Sequence, residues 1–378
     1  MKKRNPIVIS MGDPAGVGPE VIHGALKRAK ALASRDVIVV GDVVSYARSV
    51  GESTELHGYH IVPYEDFLVA SADMMREFER VGKGKRKPYF LDLGVGDGGI
   101  DLGEGSAASG AVAVSALSAA VDLLEHGSVD TLVTGPISKL WAREAGFDFA
   151  GHTEFLGSLF GGQPVMLFVG GGLKVALVTI HVPLKDVREL VTYERVESII
   201  RAVTLTLQHD FAIDSPRIAV CGLNPHAGEN GRIGNHDQQV VEPVIRDLKK
   251  EGYDVSGPHA SDTVFLRAAM DQSYDAVVAM YHDQGLIPAK LLSCGEAVNV
   301  TANLSVIRTS PDHGTAYDIA GKGMARADSM LAAIELADAI SRRREGEDVP
   351  PCPIELPINL SALKPPRGSR RHKAVPAP

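Results

Sequence analysis

Short apolar runs rich in β-branched residues alternate along the chain with longer stretches that carry a helical period. The apolar runs predict strands at Ile7–Ser10, Val37–Gly41, Thr131–Thr134, Val165–Val169, Val175–Ile180, Ile218–Cys221 and Ala276–Met280. The stretches between them predict helices at Pro19–Ala33, Ser109–Glu125, Val187–Gln208, Asp237–Glu251 and Ala325–Arg342. Most of the strand runs are continuously apolar rather than alternating, which suits parallel strands covered on both faces. The order therefore predicts an α/β fold.

The length of 378 residues predicts more than one domain. With 44% hydrophobic and 23% charged residues, disordered, collagen-like and coiled-coil readings fall away. No apolar run reaches the roughly 20 residues of a membrane-spanning helix, and the N-terminus carries no secretory apolar core, so a cytoplasmic protein is expected. The 47 acidic residues outnumber the 39 basic ones, giving a formal charge of -8, and a general nucleic-acid binder is not expected. Any anionic ligand must then be held by local basic groups. Cys221, Cys294 and Cys352 fit neither a disulfide framework nor a CxxC metal site, and idle thiols in a reducing compartment are expected. The Pro-rich stretch from about Glu345 reads as a flexible end.

One glycine motif can be dismissed. GVGDGG at Gly94–Gly99, within the loop Gly82–Gly105 entered by the basic run GKGKRK, matches GxGxxG formally. The dinucleotide fingerprint needs a helix opening on its last glycine, and Ile100, Asp101, Leu102 and Gly103 follow instead.

The chemistry gathers just after the apolar runs. His181 follows VALVTI, His226 follows RIAVCGLNP, and His282 follows DAVVAMY. Ligands of open α/β sheets bind beyond the carboxyl ends of strands. A lone histidine there is more often structural; three at equivalent places point to a shared site, although their spacing alone defines no metal centre. SMGDPAGVGPE and TGPISK also sit at strand ends, and GHTEF opens another helix, with Thr153 placed as a cap or a ligand donor. Lys290, Asn299 and Arg308 flank an apolar segment and suit a phosphate or carboxylate, with a surface salt-bridge network as the plainer alternative.

GDPAGVGPE, TGPISK, GHTEF, HVPL, NPHAGE, YHDQG and IRTSPDHGTAYDIAGKG occur in one order between about Pro6 and Ile340. Together they resemble the 4-phosphohydroxy-L-threonine dehydrogenase family of pyridoxal phosphate biosynthesis. The resemblance implies an isocitrate/isopropylmalate-dehydrogenase-like fold, two α/β/α domains around a cleft. The expected division is residues 1–135 with 265–345, then 136–264, then a tail at 346–378. It implies a homodimer with a shared active site, NAD (or NADP) as cofactor, and one divalent metal, Zn, Mg, Mn or Co, on His181, His226 and His282. It assigns substrate contacts to His152, Thr153, Lys290, Asn299 and Arg308. Asp262 and Asp283 are candidates for the general base or for orienting a histidine. The implied reaction oxidises 4-phosphohydroxy-L-threonine to a β-keto acid that decarboxylates. Related members oxidise threonate or erythronate phosphates or an aromatic cis-dihydrodiol acid. From outside the family, a metal-dependent hydrolase on the same histidines and a silent binding protein are the rival readings.

Overall fold

The computed structural model describes residues 4–33, 35–69, 87–96, 98–127 and 129–349. Cys352, the Pro-rich stretch from 350 onward and most of the basic run at 82–87 lie outside the described residues. Twelve strands form one sheet: β1 (Ile7–Ser10), β2 (Val37–Gly41), β3 (His60–Pro63), β4 (Tyr89–Asp92), β5 (Thr131–Thr134), β6 (Val165–Gly170), β7 (Leu173–Leu177), β8 (Ile218–Cys221), β9 (Val255–His259), β10 (Ala276–Ala279), β11 (Val298–Ala302) and β12 (Ile307–Pro311). Their order is β3-β4-β2-β1-β5-β12-β11-β6-β7-β10-β8-β9. The first six strands of that order run parallel. The last four are parallel to one another. Between the two blocks, β11 and β6 pair antiparallel with both of their neighbours.

The α/β class follows from burial. β1, β2, β5, β8 and β10 are buried at every position, as continuously apolar strands must be when helices cover both faces. Ile7 and Ile9 pack on one side, where the helices Gly18–Leu26, Tyr193–Phe211 and Asp328–Arg344 lie. Val8 points to the other, against the helix Ala107–Glu125. A third cluster joins Val175, Leu177 and Val277 to the helices Ser261–Asp271 and His282–Ser293. The edge strand β3 alternates half-buried and exposed positions instead.

Two expectations change at this level. The helix Ala107–Glu125 is apolar and long enough to cross a bilayer, so the sequence does carry such a segment; 61% of its apolar window is buried inside this fold, which makes it a core helix. The helix expected over 187–208 is two, Leu184–Leu190 and Tyr193–Phe211, because Thr192 starts the second by accepting a bond from the Arg195 amide. Cys221 is buried and Cys294 exposed, both as free thiols.

Candidate active site

The site sits where the two parallel blocks meet. Two loops at the ends of β1 and β5 are pressed together, and residues 134–137 of the second form its floor. Gly12 has φ +77°, and a Cβ there would lie 2.5 Å from the Pro136 carbonyl oxygen. A Cβ on Gly135 would lie 2.4 Å from the Met11 carbonyl oxygen. Only glycine permits both approaches. Asp13, fully buried, ties this floor to the loop after β12: it accepts from the Tyr317 hydroxyl at 2.6 Å and the Ala15 amide at 3.0 Å. Burial raises the Asp13 pKa above the usual carboxylate value.

A cavity of about 280 Å³ opens above the floor, lined among others by Lys139, His152, Thr153, His181, His282, Lys290, Asn299, Arg308 and Asp312. Its deepest cation is Arg308, 3% exposed on β12. The guanidinium donates to the Thr301 hydroxyl at 3.0 Å and the Thr134 hydroxyl at 2.7 Å, and its Nε is buried without a partner. Burial pulls its pKa down to about 10, a shift that the charge of Glu154 opposes. Two further buried atoms are orphaned beside it, Nε2 of His152 and Oδ1 of Asn299. His152 opens the helix His152–Phe160, and burial, then Arg308, then Lys139 push its imidazole well below its ordinary pKa. Lys290 is differently placed, since its ammonium reaches Asp312 Oδ1 at 3.1 Å. Burial raises the Asp312 pKa, a shift that Lys290 opposes.

The other wall carries histidines. β7, β10 and β8 are adjacent and parallel, and His181, His282 and His226 each follow one of them. His181 and His282 meet, with ring centroids 5.7 Å apart. His226 stands on the turn Pro225–Gly228 in left-handed conformation and does not line the cavity. Among the described residues no three His, Cys, Asp or Glu side chains are grouped to hold a metal ion. Two imidazoles are the right donor type for a divalent ion, and burial, then Lys139, then His282 lower the His181 pKa. The pair supplies two donors for such an ion, and no third His, Cys, Asp or Glu is grouped with them among the described residues.

Asp283 holds His282, with its Oδ1 2.7 Å from Nδ1. Asp262 and Asp283 both line a second, apolar groove of about 520 Å³ with Phe265, Leu266, Ile287 and Leu291. Asp262 is absent from the cavity lining. The sequence reading passed over Lys139, Glu154, Asp312 and His313, which all line the cavity. Lys139 had a visible signal, since it closes TGPISK directly after the Ser138 cap. Asp312 had less, because nothing in the sequence pairs it with Lys290.

A family model described as pyridoxal phosphate biosynthetic protein PdxA matches residues 36–337. The chain is 40% identical over 355 residues to a 4-hydroxythreonine-4-phosphate dehydrogenase of Maricaulis maris, covering 91% of this chain and 100% of that one. A crystal structure of 4-hydroxythreonine-4-phosphate dehydrogenase from Klebsiella pneumoniae is similar with a TM-score of 0.75 and 35% identity, over 89% of this chain and 98% of that one. A terephthalate 1,2-cis-dihydrodiol dehydrogenase from Burkholderia xenovorans is similar with a TM-score of 0.57 and 27% identity, over 89% and 98%.

Proposed function

The chain belongs to the pyridoxal phosphate biosynthetic protein PdxA family, and on that premise we propose that it is a cytoplasmic, NAD-dependent dehydrogenase that oxidises 4-phosphohydroxy-L-threonine. The product is a β-keto acid that loses carbon dioxide to give 3-amino-2-oxopropyl phosphate. One observation carries the substrate end of this reading. Arg308 is a buried guanidinium with two neutral hydroxyl partners and a free Nε, and the orphaned Nε2 of His152 lines the same cavity. A buried cation left in that state calls for an anion, and a phosphate offers several acceptor oxygens to it.

The chain's residues divide the work. Arg308, Asn299 and His152 bind the phosphate, with Lys290 adding charge from the rim and Thr153 a hydroxyl. Their fixed positions orient the reacting carbon toward the histidine wall. His181 and His282, with His226 of a second copy, would hold a divalent ion, and Asp283 orients the His282 ring. The buried, unpartnered Nε2 of His313 at the cavity wall would be free for a polar contact to a bound cofactor. When bound, the ion supplies polarisation of the reacting hydroxyl and the nicotinamide supplies the hydride acceptor. Asp262, beside the exposed groove, is the proton acceptor we assign to the face offered to the second copy. The homodimer is supported by that groove, whose Leu266, Ile287 and Leu291 are 57%, 59% and 68% exposed in one chain.

The test is NADH formation from 4-phosphohydroxy-L-threonine, the 4-phosphates of D-threonate and D-erythronate, and an aromatic cis-dihydrodiol acid. The first is expected to give the highest kcat/KM. Preference for the dihydrodiol acid, or hydrolysis without NADH, would overturn the reading.

A further inference from the structure

Among the described residues, two of the three cations lining the cavity make no ion pair with a carboxylate, although the charge of Glu154 is felt at Arg308. Lys290 is paired with Asp312 at 3.1 Å, whereas Arg308 is held by hydroxyls alone. Lys139 stands at the first position of the helix Lys139–Glu144, and its recorded partner is an imidazole: Nζ lies 3.3 Å from Nδ1 of His181. Lys139 and Arg308 both depress the His152 ring, so His152 lies within the field of each. An anion seated at Arg308 and a second anion seated at Lys139 would therefore flank one side chain.

The Lys139 contact has a chemical consequence. An ammonium has donors only, so Nδ1 of His181 must be the acceptor and the ring proton must sit on Nε2. A neutral imidazole has one free lone pair, and here Lys139 occupies it. A metal ion taken at Nδ1 displaces Lys139 directly. A metal ion taken at Nε2 moves the ring proton to Nδ1, which then repels a second donor. Either way, loading the histidine wall frees the ammonium. Glu154 is the acid on that side, its Oε2 and the Lys139 Cε both within 4 Å of where a Gly151 Cβ would stand. No ion pair joins it to Lys139 among the described residues.

We propose that Lys139 is a two-position residue, bonded to His181 before the metal site is filled and, once freed, the docking cation for the carboxylate of the substrate. This rests on the phosphorylated hydroxy-acid reading and deepens it: the site selects a chain with an anion at each end, the phosphate at Arg308 and the carboxylate at Lys139. A singly charged analogue leaves one of the two cations unanswered.

Full-length wild type, Lys139→Met and Lys139→Arg carry the test in two arms. The first arm titrates the metal-free proteins with Mn²⁺ by calorimetry. Lys139→Met removes both a competing donor and a positive charge, so it is expected to bind Mn²⁺ about three- to tenfold more tightly than wild type. The second arm compares 4-phosphohydroxy-L-threonine with its carboxamide, which keeps the shape and loses the charge. Wild type is expected to favour the acid by at least about tenfold in kcat/KM, Lys139→Met by less than about threefold, and Lys139→Arg to keep most of the preference. A merely structural role would lower both substrates together and leave the ratio unchanged. Unchanged Mn²⁺ affinity in Lys139→Met, or a wild-type ratio in that variant, overturns the proposal. If wild type oxidises neither compound, the substrate reading fails on its own, and the Mn²⁺ arm still decides whether Lys139 competes for His181.

Discussion

At the residue scale the account turns on Arg308. Its guanidinium is buried, its pKa is lowered to about 10 by that burial, and hydroxyls rather than carboxylates hold it in place. Truncating one member of a buried charge pair typically costs about 2–5 kcal/mol, and each 1.4 kcal/mol is roughly tenfold. Arg308→Ala is therefore expected to cost at least about tenfold in kcat/KM for the phosphorylated substrate and to spare its unphosphorylated analogue. Steady-state kinetics on both compounds check this; equal losses would contradict it. The histidines give a second expectation. Burial, first among the causes, pushes His23, His152, His181 and His259 below their ordinary pKa. In each case the folded form binds its proton less readily than the unfolded chain. The stability they allow is thus present above about pH 6.5 and is lost as pH falls below it. Urea midpoints measured from pH 8 down to pH 5 should fall, and fall less steeply in His152→Gln. Parallel slopes in the two proteins would remove His152 from the explanation.

At the element scale, the loops that make the floor are more exacting than the strands beneath them. A Cβ at Gly135 would stand 2.4 Å from backbone and one at Gly12 2.5 Å, the latter also at φ +77°. Neither neighbour is a flexible side-chain tip, so Gly12→Ala and Gly135→Ala are each expected to cost about 2–4 kcal/mol in unfolding free energy. Denaturant melts check it, with Gly51→Ala as control, where the backbone is also left-handed but no atom lies within 4 Å. The same contrast explains what could be read in advance. β1, β2, β5 and β8 have the bounds that their apolar runs predict, because burial on both faces leaves one pattern. β11 and β12 escaped notice, since Asn299 and Arg308 interrupt them and drew attention as chemistry rather than as strand. β9 holds Gly257 and Pro258, which read as a turn. The helix His282–Ser293 carries Pro288 inside it and begins on a site residue. At such positions the demands of the site override local pattern. The substrate contacts were named by resemblance, and their convergence on one cavity rests on strand pairings between β5, β12, β11 and β6 that no local pattern encodes.

At the scale of the whole molecule, one chain leaves two things unfinished. Its groove exposes Leu266, Ile287 and Leu291, and its histidine wall offers His181 and His282 while His226 stands elsewhere. In the proposed homodimer a second copy of the chain answers both. Ile287→Asp with Leu291→Asp should shift the protein to monomer in sedimentation and abolish turnover while leaving the helical signal intact. An active monomer would contradict that expectation. The central claim, a catalytic site completed between copies, has a sharper test. His226→Ala and Arg308→Ala are each expected to keep at most about a tenth of wild-type activity on the phosphorylated substrate. If His226 is lent across the interface, a mixed dimer of the two variants holds one site with both residues intact and one with neither. Co-refolding equal amounts makes about half the dimers mixed, so about a quarter of wild-type activity should return. Activity that stays at the level of the separate variants, with mixed dimers verified by mass spectrometry, would show that the site is not shared in this way.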